Sequence, residues 1–292
     1  TAGPRLPTSR LEDWIGRTET LEDDIYPQPV AAMAATLDRA RTPGPGEALP
    51  AGWHWMLFNR AAPTGTLGQD GHPPRGGFLP PVDLPRRMWA GGRLVFHEPL
   101  SVGDRVRRES TIRQVSAKEG RTGRLVFVLV AHRLSGPRGL AIEEEHDIVY
   151  RAAPASGAQP APPHSAPSGP APTGAVWSRE IRPTPALLFR YSALTFNGHR
   201  IHYDHPYATE VEGYPGLVVH GPLIATLLMG LAEDERPQGR LARFEFRAVN
   251  PLFDTAPFRV EGAPREDGRT ARLWARGPAG ELAMNASAEF SR

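Results

Sequence analysis

The chain has no cysteine. Disulfides, thiol nucleophiles and cysteine-built metal sites are therefore excluded, and a reducing compartment fits. Lysine is nearly missing too: Lys118 is the only one among 34 Lys and Arg residues, set against 32 Asp and Glu. The cations are thus almost all arginine, which stays charged at any physiological pH and pairs well with phosphates and carboxylates. They are scattered, with no basic run long enough to line a nucleic-acid groove. No apolar stretch approaches the roughly 18 residues of a membrane-spanning helix. The opening TAGPRLPTSR lacks the apolar core of a signal peptide. These absences lead to the expectation of a soluble cytoplasmic protein with neither nucleic acid nor membrane as partner.

What is present in quantity is proline and glycine, 32 and 30 of 292 residues. Part of this lies in 152–174, AAPASGAQPAPPHSAPSGPAPTG, which has the composition of a semi-extended linker. It divides the chain into 1–151 and 175–292, two units of ordinary domain size. Both end alike. HEPL, EGRTGRLVF and GLAIEEEHDIVYR in the first half are echoed by AVNPL, DGRTARLWA and GELAMNASAEFSR in the second. The order points to a duplicated domain. Alternating β-branched and aromatic residues predict strands over 104–115, 124–134 and 140–151, then 240–249, 257–262, 271–276 and 281–290. PLIATLLMGLAEDE predicts a helix over 222–235, apolar almost all round and so buried, with Pro222 at its first position. A long helix wrapped by an antiparallel sheet is an α+β architecture. The first half shows no matching helix. Its place is taken by Gly- and Pro-rich residues 63–92, and one or two helices within 9–38 are expected to compensate. Trp53 and Trp55, alternating in WHWMLF, read as core positions of a strand.

Chemistry concentrates in FNGHRIHYDHPYA, 196–208. Three readings compete. A metal site would use His199, His202 and His205, but Pro206 disfavours a helix that would align them, and a remote ligand such as His72 or His220 would be needed. A polar turn ahead of a helix is the plain alternative, and it suits His205 best. The third reading is acid–base catalysis, with a neutral imidazole taking a proton from water. The start of the predicted helix, after His220 and Gly221, offers backbone N–H groups to a developing oxyanion. Asp70 in the Gly-rich loop reads as a turn-stabilising residue.

TFNGHRIHYD (195–204) followed by VVHGP (218–222) resembles the motif of the MaoC-like hydratases and dehydratases. The longer match FRYSALTFNGHRIHYD (189–204), together with GQDGHPPRGGFLPPVDLPRRMWAGG (68–92), is similar to the subgroup holding mesaconyl-C4-CoA hydratase, itaconyl-CoA hydratase and mitochondrial 3-hydroxyacyl-thioester dehydratases. The resemblance implies a tandem double hotdog, its first helix degenerate. It also implies addition of water to a short branched dicarboxylic enoyl-CoA, giving citramalyl-CoA. His202 falls on the catalytic histidine, Gly221 on the glycine whose amide polarises the thioester, and Asp204 on the motif's last aspartate. Asn197 stands where the wider family has a catalytic aspartate, and an amide orients water without taking its proton. His202 is then the base and helps to protonate the α-carbon, with Asp204 or His199 in support. Arg190, Tyr191, His199, Arg200, His220, His72, Arg87 and Trp89 are candidates for substrate contact. No metal and no cofactor are implied beyond the CoA thioester as substrate, and a homodimer is compatible. Two other readings stay open: a 3-hydroxyacyl-thioester dehydratase of fatty-acid metabolism, and a non-catalytic thioester-binding module.

Overall fold

The structure is a computed structural model and describes residues 11–120, 123–152, 169–236 and 239–291. The first half contributes β1 (Thr18–Asp24), α1 (Pro27–Thr36), β2 (Arg86–Phe96), β3 (Arg105–Gly120), β4 (Gly123–Gly136) and β5 (Gly139–Arg151). The second contributes β6 (Trp177–Ile181), α2 (Pro185–Leu194), α3 (Gly221–Glu235), β7 (Leu241–Ala248), β8 (Phe258–Pro264), β9 (Thr270–Arg276) and β10 (Leu282–Phe290). All seven predicted strands are present. The strands form one ten-stranded antiparallel sheet in the order β1-β3-β4-β5-β2-β7-β10-β9-β8-β6. About the β2–β7 seam the two runs mirror each other, β1 matching β6, β3 matching β8, β4 matching β9, β5 matching β10 and β2 matching β7. This is the duplicated α+β arrangement expected from the residues, and the tandem double hotdog that the resemblance implies.

The seam exists because β2 carries Gly91 and Gly92. A Cβ on Gly91 would stand 2.7 Å from the Phe246 carbonyl oxygen, and one on Gly92 2.9 Å from that of Glu145. Only glycine lets these backbones close up. The Gly/Pro-rich reading of 63–92 concealed β2, which pairs with β5 from Arg86 and with β7 from Gly91.

Helix α3 starts one residue before the predicted Pro222 and buries Leu223, Ile224, Ala225, Leu228, Met229, Leu231 and Ala232 against the second half's sheet. Each fully buried leucine contributes about 1.5–3 kcal/mol. In the first half no α-helix lies between α1 and β2. That stretch has only 3-10 turns at Trp53–Met56 and Thr64–Thr66. Phe78 and Val82 from the loop cover the sheet there instead, packing with Ile112, Val115, Val126, Val128, Val130 and Tyr150.

One expectation is corrected. Trp53 and Trp55 lie in a 3-10 turn, not a strand, because Gly52 at φ +82° turns the chain under Met229 of α3. Of the one or two helices expected within 9–38, the described residues 11–38 hold α1 and a 3-10 turn at Leu11–Trp14, together with an unread edge strand, β1, whose alternating TETLEDD pairs with β3. Helix α2 went unread although its start is well marked. Pro185 follows Thr184, whose hydroxyl accepts from the Leu187 N–H at 3.2 Å. Most of the expected linker lies outside the described residues. Its end is tied to the second half, Ala171 N–H donating to the Gly280 carbonyl at 2.9 Å.

Candidate active site

The site forms where the loop after α2, the start of α3 and the first half's 68–72 loop meet. Phe196 takes a left-handed φ of +48°. The Asn197 side-chain oxygen then accepts the His199 N–H at 3.0 Å, an Asx turn. A short 3-10 turn, Arg200–His202, aims His202 inward, where it is 7% exposed. Its Nδ1–H donates to the Val218 carbonyl at 2.7 Å. That bond sets the tautomer and leaves the Nε2 lone pair free. Burial, then the neighbouring His199, push the His202 pKa down to about 3. The ring is neutral at physiological pH and thus able to accept a proton.

His220 stacks on His202, ring centroids 3.7 Å apart and planes 17° from parallel. It is the N-cap residue of α3, yet its side chain makes no cap hydrogen bond. Its Nε2 pairs with the Ser192 hydroxyl at 2.8 Å, and its buried Nδ1 has no protein partner. The N–H groups at the start of α3 therefore have no side-chain acceptor. Gly221 leads them, with nothing nearer to its Cβ position than the Trp89 carbonyl oxygen at 3.8 Å. An oxyanion placed there meets free N–H donors and the positive end of the helix dipole. Tyr191, also buried, packs edge-on to His220 at 5.1 Å and reaches the Thr226 hydroxyl at 3.4 Å.

The first half supplies the opposite wall. Gly71 meets Gly198 so closely that a Cβ on Gly71 would stand 2.0 Å from the Gly198 carbonyl oxygen. Arg200 fastens the contact, its N–H donating to the Asp70 carbonyl at 2.9 Å and its Nη1 to the Gln69 carbonyl at 3.0 Å. This docking sets His72 against His199, ring centroids 4.3 Å apart, while His199 meets His202 at 5.5 Å. Asp70 accepts from both the His72 N–H and His72 Nδ1, each at 3.0 Å. That side-chain bond holds the Asp70 carboxyl well below the usual range. Burial, then His72, lower His199 to about 3. Among the described residues, Asp70, His72 and His199 are the group whose donor atoms come close enough together for a cation, all within 4.8 Å. Asp70 and His72 are already bonded to each other, His199 meets His72 only through its ring, and none of the three has a buried atom lacking a partner.

Trp89 and Arg87 lie on the inner face of β2. Trp89 rests on His146 with centroids 3.9 Å apart and edge-on to Trp55 at 4.9 Å. Behind it, buried Glu144 binds His54 Nε2 at 2.5 Å and Trp55 Nε1–H at 3.0 Å and faces His146. This network was not read from the sequence, although Glu144, His146, Ile148 and Tyr150 alternate onto one face of β5. Burial alone would raise Glu144, but His146 and His54 hold it low. Arg87 sits opposite Tyr150 on β5, and its charge is felt by the Tyr150 hydroxyl and by His199.

Other candidates are placed differently. The Asp204 carboxylate accepts the Tyr207 N–H at 3.1 Å and pairs with Arg200 at 2.7 Å, so it braces the turn and does not meet His202. Arg200 is itself committed to Asp204 and stacked over Tyr207 at 4.1 Å. Arg190 is exposed on α2 with no ion pair among the described residues. His205 is exposed beside Pro206.

The geometry has counterparts among known proteins. A mesaconyl-C4-CoA hydratase of Chloroflexus aurantiacus is 50% identical over 95% of this chain and 96% of its own. A mitochondrial hydroxyacyl-thioester dehydratase type 2 of Schizosaccharomyces pombe is 31% identical over 73% of this chain and 77% of its own. A Mycobacterium tuberculosis structure described as a double hotdog fold is 14% identical, with a TM-score of 0.55 over 95% of this chain and 96% of its own, a likeness of fold alone. The profile of one family matches residues 52–254, which include the first half's docking loop, the His202 turn and α3. The chain thus belongs to the hydroxyacyl-thioester dehydratase type 2 family, a family of hydro-lyases.

Proposed function

We propose that the protein hydrates a short branched dicarboxylic enoyl-CoA, mesaconyl-C4-CoA ahead of itaconyl-CoA, to citramalyl-CoA. The 50% identity to a mesaconyl-C4-CoA hydratase over nearly the whole of both chains carries the substrate. The neutral, inward-facing His202 beside an uncapped helix start supports the chemistry. The Gly221 N–H at the start of α3 holds the thioester oxygen. His202 Nε2 removes a proton from water as its oxygen bonds the β-carbon. The double-bond electrons move onto the thioester as an enolate, and the α-carbon is then protonated. A buried imidazole is a weak base alone, but the enolate's negative charge offsets the desolvation that depresses it. Asn197, held by the His199 N–H, orients the reactants. Addition of water is redox-neutral and calls for no cofactor. Exposed Arg190 is placed to meet CoA phosphates, and half-buried Arg87 the free carboxylate. The cysteine-free composition suits the cytoplasm, and no described helix is long and apolar enough to cross a membrane.

The test is purified protein with mesaconyl-C4-CoA, itaconyl-CoA, crotonyl-CoA and 2-octenoyl-CoA, product followed by mass spectrometry. Hydration of the two dicarboxylic thioesters well above the others is expected. The fungal relative favours a second reading, a dehydratase of 3-hydroxyacyl thioesters. Preference for the C8 substrate would establish it and discard the dicarboxylate.

A further inference from the structure

Hydration needs two proton events, one at water and one at the α-carbon. The sequence motif supplies one obvious titrating group, His202. Asn197 cannot titrate. Asp204 is turned away into Arg200 and the Tyr207 N–H. The carboxylate that does reach the histidine cluster is Asp70, and it arrives from the other half of the molecule.

We propose that His72, oriented by Asp70, is the second proton-transfer group of the site and delivers the proton to the α-carbon. This rests on the hydro-lyase reading and adds a catalytic residue to it. The placement is built. Two glycines with no room for a Cβ, Gly71 and Gly198, let the 68–72 loop dock. Arg200 pins it through the Asp70 and Gln69 carbonyls. Asp70 then holds His72 twice, at its N–H and at Nδ1, leaving Nε2 to face outward from the pair. A carboxylate on Nδ1 stabilises the imidazolium and fixes the ring, as it does wherever a buried histidine moves protons. The charged and titrating groups around His72 are Asp70, His199, His202 and, across from His199, Arg87.

The step balances. The C–O bond forms as a water O–H bond breaks, that proton going to His202 Nε2. The π pair moves to the thioester as enolate. The enolate then returns its pair to form a C–H bond with the Nε2 proton of the His72 imidazolium. His202 ends charged and His72 neutral, and the proton returns along His199, whose ring lies between them. Asp70 acts through His72 and is a positioning residue.

The experiment uses the full chain and whichever enoyl-CoA of the panel wild type turns over best. His72→Gln is expected to lower kcat by at least ~30-fold, on the scale of a lost general acid, with KM little changed and the same melting temperature. Asp70→Asn is expected to move the alkaline limb of the kcat profile about one pH unit or more toward acid. The deciding variant is His72→Gln with Asn197→Asp, which returns a titrating carboxylate to the motif. Regain of about tenfold or more supports the proposal, because a purely structural His72 would not be rescued from there. His72→Gln within threefold of wild type, or no regain in the double variant, overturns it. If wild type hydrates nothing in the panel, the hydro-lyase reading itself fails, whereas an active wild type with an indifferent His72→Gln overturns this proposal alone.

Discussion

The two halves have the same five-strand order about the β2–β7 seam, yet they differ in what lies on the sheet. The second half keeps the 15-residue α3 and short strands of 5 to 9 residues. The first half has loop there and lengthens β3, β4 and β5 to 16, 14 and 13 residues. Phe78 and Val82 take over part of the covering. Without a counterpart of α3, the first half has no helix N-terminus at the place where Gly221 stands in the second. It has instead a loop free to reach across and bring Asp70 and His72 to the other half's histidines. The two halves thus contribute different walls, the second through α3 and the first through its 68–72 loop.

The comparison can be broken most directly at the chemistry. His202→Ala is expected to lower kcat by at least ~10², whereas His54→Ala, in the first half's buried network, should act on thermal stability before activity. Steady-state kinetics and melting curves on the two variants separate these, and near-wild-type kcat in His202→Ala would remove it as the base.

Next comes the packing. Leu228 in α3 is fully buried, and Leu228→Ala should cost about 2–5 kcal/mol. Val82→Ala, which removes less from a loop covering, should cost about 1–2 kcal/mol. Denaturant titration compares them. Equal losses would mean that loop and helix cover their sheets equally well.

The halves are also expected to differ in their response to pH. His199 and His202 are lowered to about 3 and His146 to about 4 by burial, and His132 and His220 lie well below their ordinary range for the same reason. The unfolded chain takes up these protons near pH 6.5 and the folded chain does not. Stability is therefore lost as pH falls from about 6.5 toward 4. Burial pushes Glu233 the other way, up to about 7, so its contribution is lost as pH rises through 7. Melting temperature should thus peak near neutrality, and hydrogen exchange at pH 5 should show whether the three-histidine second half opens before the first. A flat melting profile from pH 7 to 5 would mean that water reaches these rings.

Much of the fold was legible because its signals are local. Alternating residues marked seven strands and the apolar run marked α3. Strand β2 was hidden because its glycines serve the seam with β7, a contact remote in sequence. Trp53 and Trp55 alternated like a strand, but Gly52 and Met229 settled their turn. At the site, His202 and Gly221 could be picked out from their motif. Asp204 matched the motif equally well and was claimed by Arg200, four residues away in the same turn.

The sequence by itself determined the class of molecule: a duplicated α+β chain without thiols, with one histidine-rich turn leading to one buried helix. Those features follow from composition and from periodicities of two and three to four residues, which act over short range. Only the tertiary structure decided which groups share the site. Residues 70 and 199 are far apart in the chain, and nothing in either local pattern foretells that Gly71 and Gly198 lack the side chains that would hold them apart. Proximity of that kind arises from backbone packing between the two halves, and it set the Asp70–His72 pair beside His199.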